Sequence, residues 1–359
     1  MAPQQQRKKG FYFDFIGNRN IAYIVSIVTL VLGIGSLVVK DGFDLGIEFA
    51  GGTLVEMRFS ELPEVEVIRS AIGSAGFKDA VIQRTSDEQT VLIRVSNPVS
   101  VAGQQEVDIG QDQSKKIVTA LQSALGEAKL QEIRRVEQVG PQIGGELRRS
   151  AQLALLFAIA GMILYIAWRF ESKIALPIAL IGLATIGLSS WTNAITLLIM
   201  IALVVLLITS VVFKYHFALA AIIAMIHDVF VTVGALSLTN REMTVTVVAA
   251  SLTIIGYSVN DTIVIFDRIR ENLRLMRGKP ATEILNDSVN QTLSRTLLTG
   301  TTTLFCLLIF LFIGGESIKD FAFTMFVGII TGTYSSVFVA TPILWEWDKR
   351  VKGGIFKKV

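Results

Sequence analysis

The 359-residue chain has one cysteine, two histidines and seven prolines. A lone Cys306 excludes an intrachain disulfide, a cysteine metal cluster and a CxxC redox pair. It lies in an apolar run and is expected to pack there. His227 adjoins Asp228, but no other His or Cys stands at ligand spacing, so neither metal nor cofactor is expected. His216, beside Lys214 and Tyr215, suits a membrane interface. Charge is scarce as well: Asp, Glu, Lys and Arg make up 18% of the chain and leave a net charge of +3, which argues for no nucleic-acid partner. Apolar residues are what the chain has in excess. They form 52% of it, with a mean hydropathy of +0.57, more than a soluble core of this size requires.

Crossing a hydrocarbon layer of roughly 30 Å takes about 20 apolar residues as a helix. Runs of that kind occupy 21–39, 150–168, 217–239, 243–266, 296–313 and 321–345. Another 40 residues without a charge lie between Lys173 and Lys214. As one helix they would extend roughly 60 Å, so two crossings are expected, turning at the polar break from Ser189 to Asn193. The sum is about eight spans. An even number places both termini on one side, and seventeen Lys and Arg in the short segments of that side face Arg241 and Lys319 on the other. That bias predicts a multi-pass protein of a bacterial plasma membrane with a cytoplasmic N-terminus (1–20) and a basic cytoplasmic tail (346–359). The first run has the length of a retained anchor, and Val38-Val39-Lys40-Asp41 offers no small-residue cleavage site.

Residues 40–149 are the one polar stretch long enough for a soluble domain, expected on the periplasmic side. Alternation over 52–59 predicts a strand, and Val65, Ile68, Ala71 and Ile72 after Pro63 predict a helix. Residues 81–95, broken at Ser86-Asp87-Glu88, suggest a hairpin. Ile117, Val118, Leu121 and Leu125 mark a second helix closed by Gly126, and 130–139 a last strand. The order βαββαβ implies a ferredoxin-like α+β domain set on an α-helical bundle at 150–345.

An ionisable group inside a bilayer costs about 2.5–3.5 kcal/mol on insertion scales, so each needs a partner or a task. Asp228, Asp261 and Arg295 qualify. Asp261 and Arg295 stand at similar depth on helices joined by one short loop, so they can pair. Polar or small residues repeat at helical spacing around them: Ala249, Thr253, Gly256 and Asn260 on one helix, Arg295, Thr299, Thr302 and Cys306 on the next. These stripes are expected to line an interior path able to hold water, with Asp261 exchanging protons. The plainer reading makes the three charges polar anchors of the bundle. Gly328 and Gly332 form a packing pair. Ile284, Leu285 and Val289 suggest an amphipathic stretch lying along the cytoplasmic surface.

Several strings resemble the SecD/SecF family of protein-export membrane proteins, and among them its SecF members. They are Gly46-Ile47-Glu48-Phe49-Ala50-Gly51-Gly52-Thr53, Val139-Gly140-Pro141 and Ile226-His227-Asp228-Val229. The longest runs from Ile255 to Thr262 and on through Phe266-Asp267-Arg268, followed by Leu293-Ser294-Arg295-Thr296. The resemblance implies an RND-related component of the Sec translocase, with no enzyme activity of its own. It would work with a separate SecD and the SecYEG channel, drawing on protons across the lipid bilayer to complete export of a polypeptide. By position, Asp261 and Arg295 match the family's intramembrane acid and base, and Glu48, Gly51, Gly52 and Thr53 its glycine-glycine motif. Glu48 replaces the family's usual Asp. The hydrophobic hairpin at about 172–213 is an addition to six family spans, and is expected to pack peripherally, away from Asp261 and Arg295.

Two other functions compete. One is an RND-like exporter half for lipids or small hydrophobic molecules, disfavoured by the small size and single copy of the soluble domain. The other is an intramembrane aspartyl protease using Asp228 and Asp261, for which the expected Gly-x-Gly-Asp segment is missing, since Asp261 follows Ser258-Val259-Asn260.

Overall fold

The computed structural model describes residues 12–85, 89–95, 106–126, 130–170 and 216–350. The proposed hairpin at 172–213, the turn at Ser86-Asp87-Glu88 and the basic tail beyond residue 350 lie outside the described residues. The chain forms two compact units.

One unit comprises Asp44–Leu153 together with Glu242–Val248. In it a short helix α1′ (Ile47–Ala50) leads into β1 (Gly52–Phe59), α1 (Val65–Ser74), β2 (Val81–Arg84), β3 (Thr90–Val95), α2 (Glu106–Leu125) and β4 (Leu130–Val139). The strands form one antiparallel sheet in the order β2-β3-β1-β4, the order of a split βαβ sandwich. Val55, Met57 and Phe59 alternate inward from β1, meeting Val91 and Ile93 of β3. Ile68 and Ile72 of α1 and Ile117 and Leu121 of α2 cover that face and are fully buried with them. Of the segment Glu242–Val248, residues 243–248 are expected inside a span. Here they join the sheet-bearing unit instead: Met243 pairs with Leu45, its N–H donates to Asp44 O at 2.7 Å, and Gly46 N–H donates to Met243 O at 2.9 Å. Arg94 of β3 fixes the junction by an ion pair to Glu242 at 2.8 Å and a hydrogen bond to Leu45 O at 2.6 Å.

The other unit holds long apolar helices. Six described segments are long and apolar enough to cross a membrane: Arg19–Val39 (α3), Pro141–Phe170 (α4), His216–Leu238 (α5), Val245–Leu275 (α6), Ala281–Ile313 (α7) and Ile318–Arg350. The last comprises α8 (Glu316–Ser335), a π-helical turn (Ser336–Ala340) and α9 (Thr341–Arg350). Helices come together where side chains vanish. A Cβ on Gly33 of α3 would lie 2.8 Å from Gly234 Cα of α5, and one on Gly328 of α8 would lie 2.3 Å from Ile254 Cδ1 of α6.

One expectation is corrected. Ile284, Leu285 and Val289 do not form an exposed apolar stripe; they are buried in the early turns of α7, part of the main core with Ile16, Phe266 and Leu344. The segment 13–16 explains this, because it covers α7 and is held by side-chain amides. Phe13 N–H donates to Asn290 Oδ1 at 3.0 Å and Ile16 N–H to Asn286 Oδ1 at 3.1 Å. Periodicity alone sees the apolar stripe and not the segment laid across it.

Candidate functional site

In the sheet-bearing unit the glycine-glycine motif is the joint between α1′ and β1. Gly51 and Gly52 adopt φ of +73° and +143°, where a side chain is strained, and a Cβ on Gly51 would lie 3.3 Å from Pro141 Cα. Thr53 donates to Gln113 Oε1 at 2.8 Å, both side chains being buried, which ties β1 to α2. Glu48 is half-buried at the start of the joint.

Within the helical unit, polar side chains gather around Asp228, which is 1% exposed. His227 Nδ1 lies 2.9 Å from Asp228 Oδ1, while Ser258 of α6 and Ser335 of α8 both donate to Oδ2, Ser335 at 2.6 Å. Three helices thus share one carboxylate. Glycine makes the convergence possible: a Cβ on Gly332 would come within 3.1 Å of Ser258 Cβ. The π-helical turn begins directly after Ser335, and such single turns commonly mark functional positions. His227 stacks on Tyr334, with ring centroids 6.2 Å apart, and the Tyr334 hydroxyl donates to Ala22 O at 2.6 Å on α3. His227 Nε2 is buried and has no hydrogen-bond partner among the described residues.

Asp261 lies one turn beyond Ser258 on α6 and is 4% exposed. Its Oδ2 has no hydrogen-bond partner among the described residues, and neither does the buried hydroxyl of Thr296 on α7. Arg295 interacts electrostatically with Asp261, yet no ion pair within 4.0 Å joins them among the described residues. A buried carboxylate oxygen left without a partner calls for water or a proton. Asp228 and Asp261 do not hydrogen-bond each other, and their oxygens have separate environments. A shared-proton protease dyad has no footing in that arrangement.

The polar stripes inferred from spacing face the other way. Thr253 and Asn260 on α6 and Arg295, Thr299, Thr302 and Cys306 on α7 are exposed on this chain, and Thr299 donates to Arg295 O at 2.9 Å. The buried polar face of α6 is instead Ser251, Ser258, Asp261 and Thr262. Sequence reasoning missed Ser258 and Ser335 as partners of Asp228. Their signal was available: hydroxyls inside apolar spans, with Ser258 three residues before Asp261 on the same helix face.

Where α6 leaves the bundle core toward α7, a cavity of about 240 Å³ is lined by Val264, Asp267, Arg268 and Glu271 of α6 and by Gln291, Thr292 and Arg295 of α7. Asn272 fastens the two helices there, donating to Ser288 Oγ at 2.9 Å and to Gln291 Oε1 at 3.0 Å.

Comparison with known proteins bears on this arrangement. The family model described as protein export membrane protein SecD/SecF, C-terminal, matches residues 118–185 and 183–350, and the SecD/SecF GG motif matches 35–61. The two C-terminal matches overlap at 183–185, inside the uncharged stretch between Lys173 and Lys214. Curated relatives named protein translocase subunit SecF include one from Pseudomonas aeruginosa, 35% identical over 92% of this chain and 90% of its own length. Another, from Magnetococcus marinus, is 38% identical over 95% of this chain and 93% of its own length. A crystal structure of SecDF, a translocon-associated membrane protein from a Thermus species, is 32% identical with a TM-score of 0.66 over 95% of this chain. This chain spans only 39% of that longer one. The chain therefore belongs to the SecD/SecF family of protein-export membrane proteins.

Proposed function

We propose that the chain is the SecF-type subunit of a bacterial protein translocase, one that draws on the proton gradient to complete late steps of export. It would sit in the plasma membrane with both termini cytoplasmic and the sandwich domain facing the emerging polypeptide. The single observation that supports this most is Asp261, a carboxylate buried in a membrane-spanning helix with one oxygen unpartnered and Arg295 as its electrostatic neighbour. Asp261 takes up and releases the proton, and Arg295 favours the charged form after release. Asp228 contributes differently. Its three partners on α5, α6 and α8 tie the helix bearing Asp261 to its neighbours, so a change at Asp261 is felt across the bundle.

A SecD-type subunit is the expected cover for the outward polar stripe of Thr253, Asn260, Thr299 and Thr302, because hydroxyl and amide groups facing acyl chains gain from a polar partner. Further partners are the SecYEG channel, the exported polypeptide and the lipid bilayer, with Glu48, Gly51, Gly52 and Thr53 shaping the base of the domain that meets the polypeptide. The test is export of an arrested late-stage substrate in energised vesicles carrying Asp261→Asn or Arg295→Met. Both variants should lose the acceleration by a proton gradient while channel opening and ATP-driven steps persist. Full acceleration in both would overturn the proposal.

A further inference from the structure

Asp261 must exchange its proton with water, yet its carboxylate is buried and does not line the cavity between α6 and α7. Val264 lines that cavity and lies one turn from Asp261 on α6. On α6, Asp261, Val264, Arg268 and Glu271 follow at spacings of three, four and three, which puts them on one helix face. Of these, Val264 is the apolar one, and it lines the cavity together with Arg268 and Glu271, which pair with each other at 2.9 Å. Asp267, also at the wall, is paired with Arg169. The remaining charge at the wall is Arg295, already the electrostatic neighbour of Asp261. On α7, Thr292 lines the cavity, and one turn deeper Thr296 carries a buried hydroxyl with no partner among the described residues. Each helix therefore places an unpartnered oxygen one turn beyond a polar cavity. At about 240 Å³ that cavity has room for several waters, and its polar walls suit them.

We infer that this cavity is the water-filled port through which Asp261 exchanges protons with the side of the membrane that bears the chain termini, and that Val264 is the gate between carboxyl and water. The inference rests on Asp261 being the proton carrier. In the step itself the Asp261 O–H bond breaks and a water O–H bond forms. The positive charge then passes along the waters past Thr292 and Gln291, and the carboxylate remains opposite Arg295. A half-buried valine blocks water while at rest, and a small rotation of α6 or α7 that moves it aside lets one water chain connect.

Acid-pulse measurements on vesicles containing the full chain with its partner subunit test this. Val264→Thr keeps the shape of the side chain and adds a hydroxyl at the gate. It should raise resting proton flux by about three- to tenfold, the rate effect of one added hydrogen bond in the barrier. Val264→Leu should lower flux, as should Thr292→Val, which removes the hydroxyl that donates to Ser288 O and Val289 O of its own helix. Asp261→Asn serves as the reference. If it abolishes flux while the Val264 and Thr292 variants, confirmed as assembled, conduct like the parent, the port and gate are wrong and Asp261 as carrier stands. If Asp261→Asn conducts normally, the carrier reading falls and the gate with it.

Discussion

A single added methyl group at Gly328 tests whether helix approach sets the Asp228 cluster. In Gly328→Ala the new carbon would sit 2.3, 2.5 and 2.8 Å from Cδ1, Cγ1 and Cγ2 of Ile254. Carbon atoms rest about 3.5–4.0 Å apart, so Ile254 must swing away or α6 and α8 must part. Overpacking of this kind costs about 1–3 kcal/mol. Parting the helices also stretches the Ser258 and Ser335 bonds to Asp228, since Ser258 is one turn from Ile254 and Ser335 two turns from Gly328. All three clashing atoms belong to Ile254 beyond its Cβ, and Ile254→Ala removes them at its own cost of about 2–5 kcal/mol. The double variant should then be more stable than the sum of the singles by roughly 1–3 kcal/mol. Equilibrium unfolding of the four proteins in mixed detergent micelles reads this coupling directly. Strict additivity would refute the idea that Gly328 is glycine because Ile254 occupies its space.

Two further outcomes concern the sheet-bearing unit. Arg94→Ala removes the ion pair to Glu242 and the bond to Leu45 O, so hydrogen exchange at the Gly46 and Met243 amides should speed up while β1 and β3 amides away from the junction stay protected; unchanged exchange at Gly46 and Met243 would count against the Arg94 clamp. Thr53→Val leaves the buried Gln113 side chain without its donor and should cost the domain about 1–3 kcal/mol, with Thr53→Ser recovering most of it; equal stability of the Val and Ser variants in thermal unfolding would show that the bond contributes nothing.

The helices and the sandwich were legible because their signals are local. Apolar runs marked the six described spans, and alternation in β1 with the spacing of Ile68, Ile72, Ile117 and Leu121 gave the sheet and its covering helices. Two kinds of information were not local. Which face of a fully apolar helix turns inward depends on neighbours, so the stripe through Thr253 and Asn260 was read as interior although Ser258 and Asp261 occupy that side. Likewise nothing near Ile284 in the chain reveals that residues 13–16 lie over it, or that Met243 leaves its span to pair with Leu45. Asp228 was visible as a costly charge beside His227, but its two serine partners are 30 and 107 residues away, beyond the reach of any periodicity.

Infrared difference spectroscopy on the reconstituted protein after a pH jump addresses the proton carrier itself, because a protonated carboxyl has a carbonyl band that a carboxylate lacks. If Asp261 binds the proton, one component of the carboxyl absorbance that appears on acidification of the parent should persist in Asp228→Asn and be missing in Asp261→Asn, over the signal common to the other carboxylates. A carboxyl absorbance in Asp261→Asn identical in every component to that of the parent would contradict that role.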